Sequence, residues 1–167
     1  LQTTDRNIPA ILLPKISPEF NMTDADAGML NGAAFVFIYA LATIPLARIA
    51  DMCGRKYLLA VSLIVWSTLT SLSGLSQNTT QLCFLRVGIG LGEAGCTPAA
   101  QSLIAVMYGP GQRASAMAMQ QLGLAVGAAA ANFIGGMLID SLGWRGVFGV
   151  LGIPGFVLAA IIVLTLE

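Results

Sequence analysis

Apolar residues run almost without interruption between about 27 and 47, and a Ser/Thr-x-x-Asp/Glu capping box, Thr23 with Asp26, stands ahead of them. Asp24 and Asp26 also suit the positive end of a helix dipole. Further apolar stretches cover about 57–75, 80–108, 113–139 and 144–166, joined by short connections. Each approaches or exceeds the roughly 20 residues that cross a bilayer as a helix. Pro98 is expected to kink the stretch that contains it. Residues 1–16 would rise only about 24 Å as a helix, short of the roughly 30 Å hydrocarbon core. With no initiator Met, they are expected to be the remainder of a span that begins before the chain does, and Glu167 to open a loop that is cut off. A signal peptide fits poorly, because Asp5 and Arg6 interrupt the apolar run. The pattern predicts an all-α, polytopic membrane helical bundle, with 1–167 forming one transmembrane domain.

Composition agrees. Of 167 residues, 56% are hydrophobic and 10% charged, with a mean hydropathy of +0.82. Soluble domains carry about a quarter charged residues. Eight acidic residues balance eight basic ones, and without a basic surplus no nucleic-acid partner is expected. Cys53, Cys83 and Cys96 form no CxxC pair and there is no His, so they read as small apolar fillers, with no metal or cofactor expected. An enzyme is not expected either. There is no H-E-x-x-H and no pair of intramembrane aspartates of the GxGD type.

Loop charges orient the bundle. Arg48, Arg55 and Lys56 lie between spans 2 and 3 and Arg113 between spans 4 and 5, whereas the other side has Lys15 and Arg145. The positive-inside rule puts the first group in the cytoplasm and Trp144 at the outer interface. The Asn-x-Thr patterns at Asn21 and Asn78 then fall outside, but such short patterns recur by chance.

Four charges remain inside the apolar stretches: Asp5, Arg6, Arg86 and Glu93. Asp5 would lie about 18 Å and Glu93 about 20 Å below the outer surface, with Arg86 about 9 Å deep. Arg86 and Glu93 fall on nearly the same face of span 4. A charge at the bilayer centre costs from about 3 to over 10 kcal/mol, so these four must face the bundle interior or a wet cavity. A structural salt bridge tying span 1 to span 4 is one reading, although desolvation offsets most of its attraction. A polar translocation path, with an acid exchanging a proton, is the other. Gly88, Gly90, Gly92 and Gly95 thin span 4, and Gly123, Gly127, Ala131 and Gly135 set a small-residue ridge on span 5 that lets helices approach closely.

The loop ARIADMCGRK, from Ala47 to Lys56, resembles the signature of the major facilitator superfamily, a Gly followed by D-x-x-G-R-K/R. Asp51, Gly54, Arg55 and Lys56 match it, while Ala47 replaces the leading Gly and Met52 stands where a basic residue is common. Arg86 and Gly90 match the superfamily's R-x-x-x-G pattern in span 4. The antiporter-type motif is partly met, by Gly127, Gly135 and Gly136, with Ala128 in place of its Pro. Asp5-Arg6, RVGIGLGEAGCTPAAQSLIA and GWRGVFGVLGIPG resemble the spinster branch.

The resemblance implies the N-terminal half of a twelve-helix transporter, built from two inverted three-helix repeats, whose partner is the C-terminal half of the same protein. It implies alternating access, with Asp5 and Glu93 coupling protons or ions and Arg6 and Arg86 as their partners. Asp51 and Arg55, with Arg113 nearby, would form a cytoplasmic charge network. The substrate would be a small molecule or a lipid-like solute, and the location a bacterial inner (plasma) membrane. A passive channel, with the buried charges as a salt-bridge network, is the alternative.

Overall fold

Short connections between long apolar stretches leave helices only one economical arrangement, side by side. The computed structural model describes residues 2–165, and the side chains at 2–6, 31, 33, 34, 50, 51, 53 and 131 lie outside what it describes. The helices are α1 (Gln2–Phe20), α2 (Asp24–Gly28), α3 (Ala34–Cys53), α4 (Arg55–Ser73), α5 (Thr79–Met107) and α6 (Pro110–Thr165), with a π-helical turn, Met29–Ala33, joining α2 to α3. Gly143, at φ 65° and ψ 173°, breaks α6. Its arms, 110–142 and 144–165, are called α6a and α6b below. There is no strand among the described residues.

The ends follow from local chemistry. Thr23 caps α2 reciprocally: its hydroxyl accepts from the Asp26 amide at 3.2 Å, and Asp26 Oδ2 accepts from the Thr23 amide at 3.0 Å. The Thr23 hydroxyl also donates to Asp26 Oδ2 at 2.7 Å, and that bond first, then the one from the Thr23 amide, holds the Asp26 carboxyl below its ordinary value. Asn78 caps α5, its Oδ1 accepting from the Gln81 amide at 2.8 Å, which gives this Asn a structural task. Gly54 is the single residue between α3 and α4, at φ 88°. A Cβ there would be strained whatever the space around it. Helix α1 carries Pro9, Pro14 and Pro18 yet continues to Phe20, past the apolar stretch that ends at 16. It ends at Asn21, whose left-handed φ of 49° is one that Asn tolerates. Pro98 lies inside an α5 that continues on both sides of it.

Helices in lipid gain little from apolar burial, so close contact decides how they associate. Helix α4 is held between α5 and α6b. Along α5, Gly88, Gly92 and Gly95 face Leu69, Trp66 and Ser62 in turn, an antiparallel register. A Cβ on Gly92 would stand 3.0 Å from the Trp66 amide nitrogen, and one on Gly95 would meet the Ser62 hydroxyl. On the other side, Gly152 and Gly155 seat against Ser71 and Ser67, and a Cβ on Gly152 would lie 2.7 Å from the Ser67 carbonyl oxygen. Hydroxyls turned to lipid are satisfied along their own helices. Thr68 donates to Ile64 O and Thr165 to Ile161 O, both at 2.7 Å.

Two apolar clusters fill the bundle. One joins Ile8, Leu12 and Ile16 of α1 to Leu30, Leu82, Trp144, Val147 and Phe148. The other joins Phe35, Leu63, Trp66, Ile89, Cys96 and Ala159. Large apolar side chains such as Phe37 and Phe133, 66% and 70% exposed, cover the outside.

One end of the bundle is tied by a polar clamp, and we call it the Trp144 end. Glu19 Oε1 accepts from Arg145 Nη1 at 2.5 Å, and Oε2 accepts from Trp144 Nε1 at 2.7 Å. Arg145 Nη2 donates to Ser76 O at 3.1 Å, so one guanidinium joins α1, α6b and the α4–α5 connection. The Arg145 bond first, then the Trp144 bond, holds the Glu19 carboxyl below its ordinary value. Lys15 and Asp140, 3.6 Å apart and 59% and 80% exposed, add little by comparison.

The glycine contacts predict that Gly152→Val, in the full-length protein, costs about 1–3 kcal/mol or more, seen as a lower thermal midpoint in detergent. Gly149→Ala, one turn away with nothing within 4 Å of its Cβ position, leaves the midpoint unchanged or raised. The clamp predicts a pH effect of definite sign. A carboxyl with a lowered folded-state pKa stabilises the fold above its unfolded value, near 4.5, and loses that contribution as pH falls through the folded value. Acidification from about pH 7 to about pH 4 should lower the wild-type midpoint more than that of Glu19→Gln. Parallel curves for the two proteins would show that the clamp contributes nothing.

Candidate functional site

Helix α5 places both buried charges. Its 29 residues run from Thr79 to Met107, and Glu93 is the middle one, about 21 Å from either end. Arg86 lies two turns nearer the Trp144 end on the same face. Arg86 is 2% exposed and Glu93 0%. Neither is an isolated charge, since each has interaction partners.

Arg86 sits where the two apolar clusters meet, between Leu82 of one and Ile89 of the other. Its guanidinium carbon lies 5.0 Å from the centre of the Phe148 ring. Such a contact contributes about 2 kcal/mol or more when desolvated, less than the cost of about 3 to over 10 kcal/mol for placing the charge in hydrocarbon. The ring alone therefore cannot hold Arg86, and its other partners are required. Around Glu93, α3 provides an aromatic wall. Phe35 and Tyr39 stack with centroids 5.9 Å apart. Phe35 O would lie 3.2 Å from a Cβ on Gly90, and the Tyr39 and Thr97 hydroxyls are 3.2 Å apart. Glu93 falls between those two contact points, so Gly90 is what lets α3 close over this part of α5.

The side chains of Asp5 and Arg6 lie outside the described residues. Their helix packs on α6, and Ile8, the next turn along, is 3.5 Å from a Cβ on Gly135. At the opposite end of the bundle, Gly54 adopts its left-handed turn, and the Asp51 side chain is again outside the described residues. Arg55 is half-buried and partnered, and Lys56 Nζ stands 6.0 Å from the centre of the Tyr57 ring. Arg113 Nε donates to Tyr108 O at 3.1 Å, closing its own connection.

The small-residue ridge on α6a is only partly engaged. Gly135 is buried against α1 and Gly127 is half-buried, while Gly123 and Gly136 have nothing within 4 Å of their Cβ positions among the described residues. The reason is helical geometry. A row of four-residue steps drifts by about 40° per step, so Gly123 points about 120° away from Gly135. Gly136 is turned about 100° from its neighbour.

Several contributors give no signal in one sequence. Phe148 under Arg86, the Tyr39–Thr97 contact and the serine face of α4 are pairings between distant segments. Glu19 beside Trp144 and Arg145 could have been suspected from charges and an indole at facing helix ends. A separate groove of 530 Å³, lined by Ile104, Tyr108, Gln112, Ser115, Ala116 and Met119, lies where α5 ends and α6a begins, away from Glu93.

The whole chain, residues 1–167, matches the family model of the Major Facilitator Superfamily. It is 35% identical over 164 residues to an MFS-type efflux pump of Mycolicibacterium smegmatis, covering 98% of this chain and 38% of that protein. It is 27% identical to a probable L-galactonate transporter of Escherichia coli, covering 93% of this chain and 34% of that protein. A crystal structure of a bacterial homologue of the human lysosomal transporter spinster, inward-facing and occupied, superposes with a TM-score of 0.91 at 34% identity. That match covers 99% of this chain and 41% of the other. The unoccupied inward-facing form of the homologue gives a TM-score of 0.92. The chain thus spans well under half the length of these relatives. It belongs to the Major Facilitator Superfamily, is similar within it to the bacterial spinster homologue, and is a multi-pass integral membrane protein.

Proposed function

We propose that the protein is a secondary active transporter that works by alternating access and couples solute movement to protons or ions. The observation that carries this reading is the burial of Arg86 and Glu93, at 2% and 0% exposure, on one face of α5 with Glu93 at its midpoint. Glu93, with Asp5 of α1, takes and releases the coupling proton. Arg86 and Arg6 are the cations against which those carboxylates are balanced. A ligand shifts a conformational equilibrium only by its difference in affinity for the two states. Protonating a buried carboxylate creates such a difference, because it changes how well the neighbouring guanidinium is compensated.

In this reading the Trp144 end faces outside and the Gly54 end faces the cytoplasm of a bacterial inner membrane. Asp51, Gly54, Arg55, Lys56 and Arg113 form the cytoplasmic gate, and a C-terminal half of the same protein supplies the other cavity wall. The substrate is a small molecule or lipid-like solute. Relatives named for L-galactonate and benzoate transport, and a homologue of the lysosomal spinster transporter, support a class of that breadth.

The test is Glu93→Gln in the full-length protein, reconstituted in vesicles with an imposed proton gradient and offered organic acids and lysophospholipids. The variant should fold normally and lose roughly tenfold or more of gradient-driven uptake. Wild-type uptake at every pH overturns the coupling role. Uptake by the wild type that neither saturates nor follows the gradient would make it a passive channel.

A further inference from the structure

The contact between Arg86 and Phe148 joins the buried charges of α5 to the clamp at the Trp144 end. Phe148 is 0% exposed, and its ring is held from several directions. Trp144 meets it edge-on, with centroids 6.2 Å apart and planes at 87°. Phe148 Cβ would lie 3.4 Å from a Cβ on Gly74, so the backbone just past α4 stops the residue from backing away. Trp144 is fixed in turn by its bond to Glu19, by Phe20 edge-on at 5.7 Å, and by the Arg145 guanidinium 4.2 Å from its ring centre.

We infer that Phe148 is a positioning residue for Arg86, its ring face fixing where the buried guanidinium sits while Trp144 fixes the ring. A long arginine side chain has many rotamers to choose among. The negative face of a phenyl ring selects those that lay the guanidinium over it. The chain of contacts runs from Glu19 on α1, through Trp144 and Phe148 on α6b, to Arg86 on α5. The place of a buried charge is thereby set by the relation among three helices rather than by α5 alone. Its bearing on transport rests on the function proposed above, whereas the positioning itself does not.

The experiment reads Arg86 directly, without a substrate. In the full-length protein, phenylglyoxal modification of Arg86 is followed by peptide mass spectrometry and normalised to exposed Arg48. Phe148→Leu should speed modification roughly tenfold, the size of effect expected when a desolvated cation–π contact is lost. Phe148→Tyr should stay near the wild-type rate. Replacing Phe148 with mono-, di- and trifluorophenylalanine keeps shape and apolarity but drains the ring face, so the rate should climb with each fluorine. Thermal midpoints report folding, and if Phe148→Leu fails to fold, the fluorinated series decides alone. Equal rates across the series, including no modification in any variant, overturn the inference, because a ring that only fills space would be blind to fluorine. A graded response alongside wild-type uptake by Glu93→Gln would leave the positioning role standing and remove the coupling role.

Discussion

Everything in this bundle depends on how closely α4 can lie to its two neighbours. Lipid offers no reward for hiding one apolar surface against another, so association must come from intimate contact and satisfied polar groups. Gly88, Gly92 and Gly95 remove the side chains that would hold α5 off α4, and Gly152 and Gly155 do the same for α6b. The α4 residues opposite them include Ser62, Ser67 and Ser71, small enough to fill the gap without widening it. With that face of α5 spent on α4, Gly90 is left to meet Phe35 of α3, and Arg86 to meet Phe148 of α6b.

The buried charges are consequences of that arrangement. A charge that cost several kcal/mol against lipid can persist only where neighbours replace the water it has lost. Arg86 finds an aromatic face at 5.0 Å and has further partners, and Glu93 lies among the closest-packed turns of α5. Their two-turn separation along one face matters chemically. Two full charges directly opposed would be a fixed pair, whereas charges spaced along a helix can each be compensated separately.

Much of this was legible in the residues, for identifiable reasons. The apolar stretches, the Thr23–Asp26 box and the D-x-x-G-R-K loop are local signals, so all-helical architecture and superfamily could be read directly. The burial of Arg86 and Glu93 followed from the cost of leaving them in lipid. The π-helical turn at Met29–Ala33 left no local mark. Along the small-residue ridge of α6a, Gly135 lies against α1 while helical drift turns Gly123 about 120° from it. Phe148, Tyr39 and the serines of α4 were missed because their meaning lies in what stands opposite, which spacing along a single chain does not encode.

The two ends of the bundle are built differently, and that asymmetry suits a domain that moves as a unit. At the Trp144 end, three hydrogen bonds and edge-on ring contacts join α1, α6b and the α4–α5 connection, over a core that includes Ile8, Leu12 and Ile16. At the Gly54 end, one left-handed residue joins α3 to α4, and Met52, Tyr57, Val106 and Met107 are 62–83% exposed. The polar clamp thus lies at the end of the bundle nearer Arg86 than Glu93. A rocking movement that opened the Gly54 end could leave the clamp and the contact over Phe148 intact, so the arginine would travel with the domain while the surroundings of the carboxylate changed. In the alternating-access mechanism proposed above, that division would give the two charges different work, Arg86 as the fixed reference and Glu93 as the group whose environment differs between states.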